Sequence, residues 1–203
     1  MRVIAGEAKG RRLFAVPGQS TRPITDRVKT SLFNILAGQV PEARFLDLFA
    51  GTGGVGIEAL SRGASEAVFV ERDERALAII RRNLEVTRLA VHARVVRHDV
   101  FKFIAGYNGQ PFDIIHVAPP QYQGLWARTL RALDGSSPAQ NAGRSSSLAQ
   151  DAGHSSSLTS PGTLIVAQIH PKEYEPLELA TLALSDQRKY GSTLLCFYEV
   201  QPG

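Results

Sequence analysis

From residue 44 onward, two hydrophobic rhythms alternate along the chain. RFLDLFA, EAVFVE, ARVVRHD, FDIIHVA and TLIVAQI are short runs rich in Val, Ile and Phe, the length and composition of buried strands. Between them, GVGIEALSRG (ended by Gly63), ERALAIIRRNLEV and Leu125–Leu133 carry helical spacing, and a further helix starts near Val100. The tail QRKYGSTLLCFYEV reads as two strands joined at Gly191, a hairpin closing the sheet edge. Strands alternating with helices predict a mainly parallel sheet covered on both faces.

Ahead of this body, RVIAG and RRLFAV pair as a hairpin around EAKG. TRPITDRVKTSLFNILAG then predicts a helix with Thr25 as N-cap, Asp26 in the first turn and Gly38 as stop. Val28, Leu32, Ile35 and Leu36 fall on one face, which leaves Arg27 and Lys29 free to meet a ligand. The expected division is an N-terminal element over 1–40 and an α/β domain over 41–203. Within that domain AQNAGRSSSL and AQDAGHSSSL repeat in tandem, and their Ser, Ala and Gly content predicts a flexible insert over 135–161.

Composition narrows the class. The chain has 203 residues and is 43% hydrophobic, enough for one sizeable core. No apolar run approaches the ~20 residues of a membrane span, and MRVIAGEAKGRRL lacks a secretion signal. Cys196, the single cysteine, sits in the apolar run TLLCFY as a buried structural thiol. No zinc pattern is present, so no metal is expected, and the cytoplasm is the expected compartment. Charge is concentrated: residues 1–30 carry seven basic and two acidic side chains, a net of +5, while the whole chain is +4. A basic segment on a near-neutral body suggests a polyanion-binding attachment, with a merely solvated basic surface as the alternative.

DLFAGTGGVG, Asp47 to Gly56, lies where a strand turns into a helix, and Gly51, Gly53 and Gly56 satisfy G-x-G-x-x-G. Glu71 closes the next strand, where a carboxylate takes ribose hydroxyls. A dinucleotide would set pyrophosphate on the helix N-terminus. S-adenosylmethionine carries instead a cationic amine, which Asp47 is placed to bind or orient. Asp99, after the third strand, is placed to hold the adenine amine. The competing roles are loop bracing for Asp47 and an N-cap for Asp99.

TRPITDRVKTSLFNIL, DLFAGTGGVGIEALSRGA and VERD, in this order, resemble the RsmD family of S-adenosylmethionine-dependent 16S ribosomal RNA guanine-N2 methyltransferases. The resemblance implies a class I methyltransferase (Rossmann-like) fold: a seven-stranded sheet with one antiparallel strand and a small basic N-terminal element. It implies S-adenosylmethionine held by Asp47, Ala50, Gly51, Thr52, Gly53, Gly56, Glu71, Arg72, Asp99 and Val100. It further implies a monomeric bacterial enzyme acting on 16S rRNA in the 30S subunit or its assembly intermediate. Lys9, Arg11, Arg12, Arg22, Thr25 and Arg27 are the expected RNA contacts, with Lys29 a weaker candidate and salt bridging as the alternative for Arg22 or Arg27.

The base-presenting segment is Ala118-Pro119-Pro120-Gln121-Tyr122, where the family motif is Asp-Pro-Pro followed directly by an aromatic. An exocyclic guanine amine is a poor nucleophile, and acceptors aimed at its N–H groups favour the charge that develops as it attacks. Ala118 supplies no side-chain acceptor. Its backbone carbonyl, that of Pro119 and the Gln121 amide are the replacements, with His116 a lesser candidate because strand alternation points it away. Tyr122 is placed to stack on a flipped base. Three readings stay open: an enzyme with a rebuilt site, a catalytically weak or inactive relative that binds RNA, and a structural loop with Tyr122 packed in the core. A DNA amino-methyltransferase and a nicotinamide-dependent oxidoreductase are the alternatives in chemistry.

Overall fold

The structure, a computed structural model, describes residues 1–16, 24–134 and 158–202. One sheet holds β1 (Arg44–Leu48), β2 (Glu66–Glu71), β3 (Ala93–Arg97), β4 (Ile114–Val117), β5 (Leu164–Ile169), β6 (Leu182–Tyr190) and β7 (Thr193–Val200). Their order is β3-β2-β1-β4-β5-β7-β6. The first five run parallel, and β7 inserts antiparallel between β5 and β6, so a single strand is reversed, as the resemblance implies. This is the class I methyltransferase fold.

The short strands are apolar on both faces because helices cover both. Alternate residues feed separate cores. Phe45, Ile114 and Val166 face α1 (Asp26–Ile35), α2 (Gly54–Ser61), α3 (Glu74–Thr87) and the N-terminal element. Leu46, Leu48, Ile115, Val117 and Ala167 face α4 (Val100–Gly106) and α5 (Leu125–Asp134). Cys196 is fully buried in the second core, and burial pushes its thiol up to about 11, as befits a packing residue. Most of the serine-rich insert lies outside the described residues, as does Arg22.

Two expectations about the N-terminal element change. The hairpin is reduced to one antiparallel bridge, Arg2 with Arg12, beside the Val3 N–H to Arg11 carbonyl bond. The apolar face of α1 is rotated: Val28, Leu32 and Leu36 are buried, but Ile35 is 39% exposed and Lys29 is fully buried in its place. Lys29 is therefore not free for a ligand. Its ammonium lies 3.0 Å from Glu58 of α2 and donates to the Arg2 carbonyl at 2.6 Å. Burial pushes the Lys29 pKa below its ordinary range, against the pull of Glu58.

Glu58, itself fully buried, is the hub of this contact. Its carboxylate also accepts from the Ile4 N–H at 2.8 Å, the Ala5 N–H at 3.0 Å and Arg62 Nε at 2.8 Å. Next to it, the Ser61 carbonyl accepts the Glu7 N–H at 2.9 Å, and a Cβ on Gly6 (φ +82°) would sit 1.5 Å from that carbonyl oxygen. Only glycine lets the N-terminal turn lie this flat on α2.

At the other end of the sheet Asp134 ties α5 to the start of β6. Burial works to raise its pKa, but donors from the Ala180, Thr181 and Leu182 N–H groups and the Thr181 hydroxyl outweigh it and hold the carboxyl below its usual range. The folded carboxylate thus stays ionised where the unfolded chain takes up a proton. Its stabilisation is complete above the ordinary value of 3.8 and drains away as pH falls through the depressed one. Urea midpoints measured from pH 6 down to pH 2 should fall less steeply in Asp134→Asn than in the parent protein.

Candidate active site

β1, β2, β3 and β4 are parallel, so their C-terminal ends meet along one edge, where ligands of open α/β sheets bind. The glycine turn leaves β1 there. Phe49 (φ 59°), Gly51 (φ 56°) and Gly53 (φ 73°) all adopt the left-handed conformation, and Gly53 caps α2. The Gly51 N–H donates to Glu71 Oε2 at 2.9 Å, while Glu71 Oε1 accepts the Arg72 and Asp73 N–H groups at 2.8 and 3.0 Å. Glu71, partly exposed, thereby couples the end of β2 to the turn. Gly56 has a packing role: a Cβ there would lie 2.4 Å from the Phe69 ring.

Asp47 makes the bracing contacts weighed as the alternative to its cofactor role. Only 2% exposed, it gives Oδ2 to the Gly56 N–H at 3.1 Å and Oδ1 to His116 Nδ1 at 2.9 Å. Strand alternation turns it into the core face, where it braces α2 and β4. Asp99 caps α4 with Oδ1, accepting the Phe101 and Lys102 N–H groups at 3.0 and 3.1 Å. Cap and cofactor roles are compatible there, because Oδ2 is left over. Ala50 in the turn and Val100, the first residue of α4, are buried, Thr52 is half-buried and Arg72 borders Glu71.

The proline segment leaves β4 beside the exit of β1, the Ala118 N–H lying 3.4 Å from the Leu48 carbonyl. Pro119 is buried, whereas Pro120 and Gln121 are exposed. Tyr122 is 65% exposed, so it is not a core residue and the purely structural reading of this segment fails. Its backbone is left-handed (φ 60°), an unfavourable state for tyrosine that is held by an N–H bond to Glu173 Oε1 at 2.6 Å. Its ring lies 5.4 Å from that of His170.

Sequence reasoning missed these braces. Glu173 and His170 belong to a short turn after β5 and carry no local signal of the contact. Asn83 did carry one: a polar residue in the apolar stripe of α3. Fully buried, it accepts the Phe14 N–H at 2.7 Å and donates to the Thr52 carbonyl at 2.9 Å, joining the N-terminal element to the glycine turn. In that element Lys9, Arg11, Arg12 and Arg27 are exposed and make no ion pair with any described residue, and Thr25 caps α1 at 3.3 Å from the Val28 N–H. The salt bridges expected of Arg27 are made by others: Arg2 takes Asp26 and Lys29 takes Glu58. A cavity of about 550 Å³ bounded by Gly6, Glu42, Gly63 and His92 opens at the N-terminal ends of β1 and β2, away from this edge.

The family model described as Conserved hypothetical protein 95 matches residues 1–143. YlbH of Bacillus subtilis is 36% identical over 202 residues, covering 98% of both chains. The Escherichia coli protein named Ribosomal RNA small subunit methyltransferase D is 40% identical over 134 residues, 66% of this chain and 67% of that one. Among solved structures, Escherichia coli yhhF superposes with a TM-score of 0.79 at 30% identity, covering 99% of this chain and 98% of that one. A match that begins at Met1 takes in the basic element together with the glycine turn, and with a relative aligned end to end it leaves one assignment: the chain belongs to this family, the RsmD family.

Proposed function

We propose that this protein methylates ribosomal RNA, transferring a methyl group from S-adenosylmethionine to the exocyclic N2 amine of a guanine in 16S rRNA within the small subunit or its assembly intermediate, in the cytoplasm. The observation that carries the reading is the convergence of the glycine turn, Glu71, Asp99 and the segment from Ala118 to Tyr122 on one edge of the sheet. The family membership and the names of the relatives point the same way.

The residues present suit the cofactor. Gly51 has only the Phe49 carbonyl oxygen, 4.0 Å away, near where a Cβ would stand, so a ligand can approach the backbone. Glu71 takes ribose hydroxyls in exchange for its backbone donors, and Asp99 Oδ2 takes the adenine amine. S-adenosylmethionine bound there supplies a methyl carbon made electrophilic by its sulfonium. Tyr122 stacks on the target base, and the carbonyls of Ala118 and Pro119 with the Gln121 amide accept from its amine. Losing one preorganised polar group from a transition state costs roughly 10²–10³ in rate, so Ala118 implies a slower enzyme and not a dead one. The same residue favours the second reading, a relative that binds RNA with little turnover.

Lys9, Arg11, Arg12 and Arg27 contact phosphate, with Arg22 assigned by sequence alone. Methyl incorporation should appear with under-methylated 30S particles or 16S rRNA and not with DNA. Transfer to DNA, or none to any substrate, refutes the proposal. In filter binding, replacing Arg11 and Arg12 by Ala should flatten the dependence of log affinity on log salt by about one phosphate contact per residue. An unchanged slope removes them from the interface.

A further inference from the structure

Among the described residues, two buried side-chain atoms lack a hydrogen-bond partner, His116 Nε2 and Gln168 Oε1. They stand on neighbouring strands. Val117 of β4 pairs with Ala167 of β5, so Ala118 and Gln168 leave their strands side by side. The residue before a proline is held extended, so Ala118 keeps the alternation of β4 and shares a face with His116. Gln168 shares that face, because its partner across the sheet is Leu195, in the same core as Ile114 and Val166. His116, Ala118 and Gln168 therefore share one face of the sheet, with Gln168 level with Ala118 and His116 one step before it.

Their chemistry matches too. Asp47 Oδ1 is an acceptor and lies 2.9 Å from His116 Nδ1, so Nδ1 carries a proton and the corresponding tautomer presents its lone pair at Nε2. The Gln168 atom is a carbonyl oxygen. Two acceptors facing one space require a double donor, and buried polar atoms without protein partners are the usual hosts of an ordered water.

We propose that His116 and Gln168 hold one water below Ala118, and that its oxygen accepts an N–H of the target amine, the task a carboxylate at position 118 would perform. This deepens the methyltransferase reading and rests on it. As the nitrogen lone pair forms the new N–C bond, the sulfonium–carbon bond breaks and its electron pair stays on sulfur. The proton lost from nitrogen passes to the water, which gives one of its own to Nε2, and Asp47 balances the imidazolium. His116 and Gln168 are positioning residues, acting through the water.

Gln168→Leu should lower the single-turnover methylation rate roughly 10²-fold or more while S-adenosylmethionine affinity, read by calorimetry, is unchanged. Adding Ala118→Asp to that variant should restore the rate, since a carboxylate fills the place of the water. A high-resolution crystal structure of the parent protein should show density within hydrogen-bond distance of both Nε2 and Oε1, whether or not the protein is active. No density there, or a direct His116–Gln168 bond, overturns the inference. So does a parent-like rate in Gln168→Leu, or a rate that Ala118→Asp does not rescue. Absent turnover with the density present would defeat the methyltransferase reading and the role given to the water in it, leaving the water site itself intact.

Discussion

Replacing Glu58 by alanine should destabilise the protein by about 3–5 kcal/mol, the cost of removing one partner from a buried ion pair. The carboxylate is fully buried and serves Lys29, Arg62 and the Ile4 and Ala5 N–H groups at once. Its loss strands a buried ammonium and two backbone donors. Lys29→Met should cost clearly less, because Glu58 keeps Arg62 and both N–H groups and the methionine fills the vacated space. Urea unfolding monitored by far-ultraviolet circular dichroism should therefore rank the midpoints parent, Lys29→Met, Glu58→Ala. The opposite order would show that Lys29, and not Glu58, organises the contact. Glu58→Ala should also lower RNA affinity, since the N-terminal segment carrying Lys9, Arg11 and Arg12 is moored there.

Gly56→Ala should impair the protein through Phe69. The new Cβ would sit 2.4 Å from Cε1 and 2.8 Å from Cζ of a fully buried ring, and the Gly56 N–H bond to Asp47 leaves the helix little freedom to withdraw. Overpacking of this kind costs about 1–3 kcal/mol. Lifting α2 off the sheet also distorts the turn that α2 opens from, so affinity for S-adenosylmethionine should fall at least about tenfold, equivalent to ~1.4 kcal/mol. Phe69→Leu shortens the obstructing side chain. In the double variant stability and affinity should recover beyond the sum of the single effects, a coupling that a thermodynamic cycle measures directly. Strict additivity would mean that the ring is not what excludes a side chain at position 56.

Both predictions turn on contacts between segments far apart in the chain, and here sequence and structure divide. The strands of the parallel sheet, the glycine turn and the acids ending β2 and β3 were legible because local rules govern them: apolar runs bounded by turn residues, left-handed positions that favour glycine, caps within three residues. The likeness of three ordered motifs to a known family carried the reversed strand as well. Lys29 was misread because periodicity assigns a charged residue to the outside and cannot see an acid one helix away that makes burial tolerable. Asp47 was half read: its place before the turn is local, but its bonds to Gly56 and His116 depend on the neighbouring strand and helix.

The amino-acid sequence by itself determined the order of elements, the glycine turn, the charge of the N-terminal element and the departure at Ala118. Only the tertiary structure decided that Tyr122 faces solvent, braced by Glu173, and that Asn83 and Glu58 lock the basic element onto the methyltransferase body. The physical reason is the range of the interactions. Backbone preference and side-chain period act over a few residues and are written locally. A buried polar group is tolerated only beside its partner, and which residues become neighbours is settled when the sheet assembles.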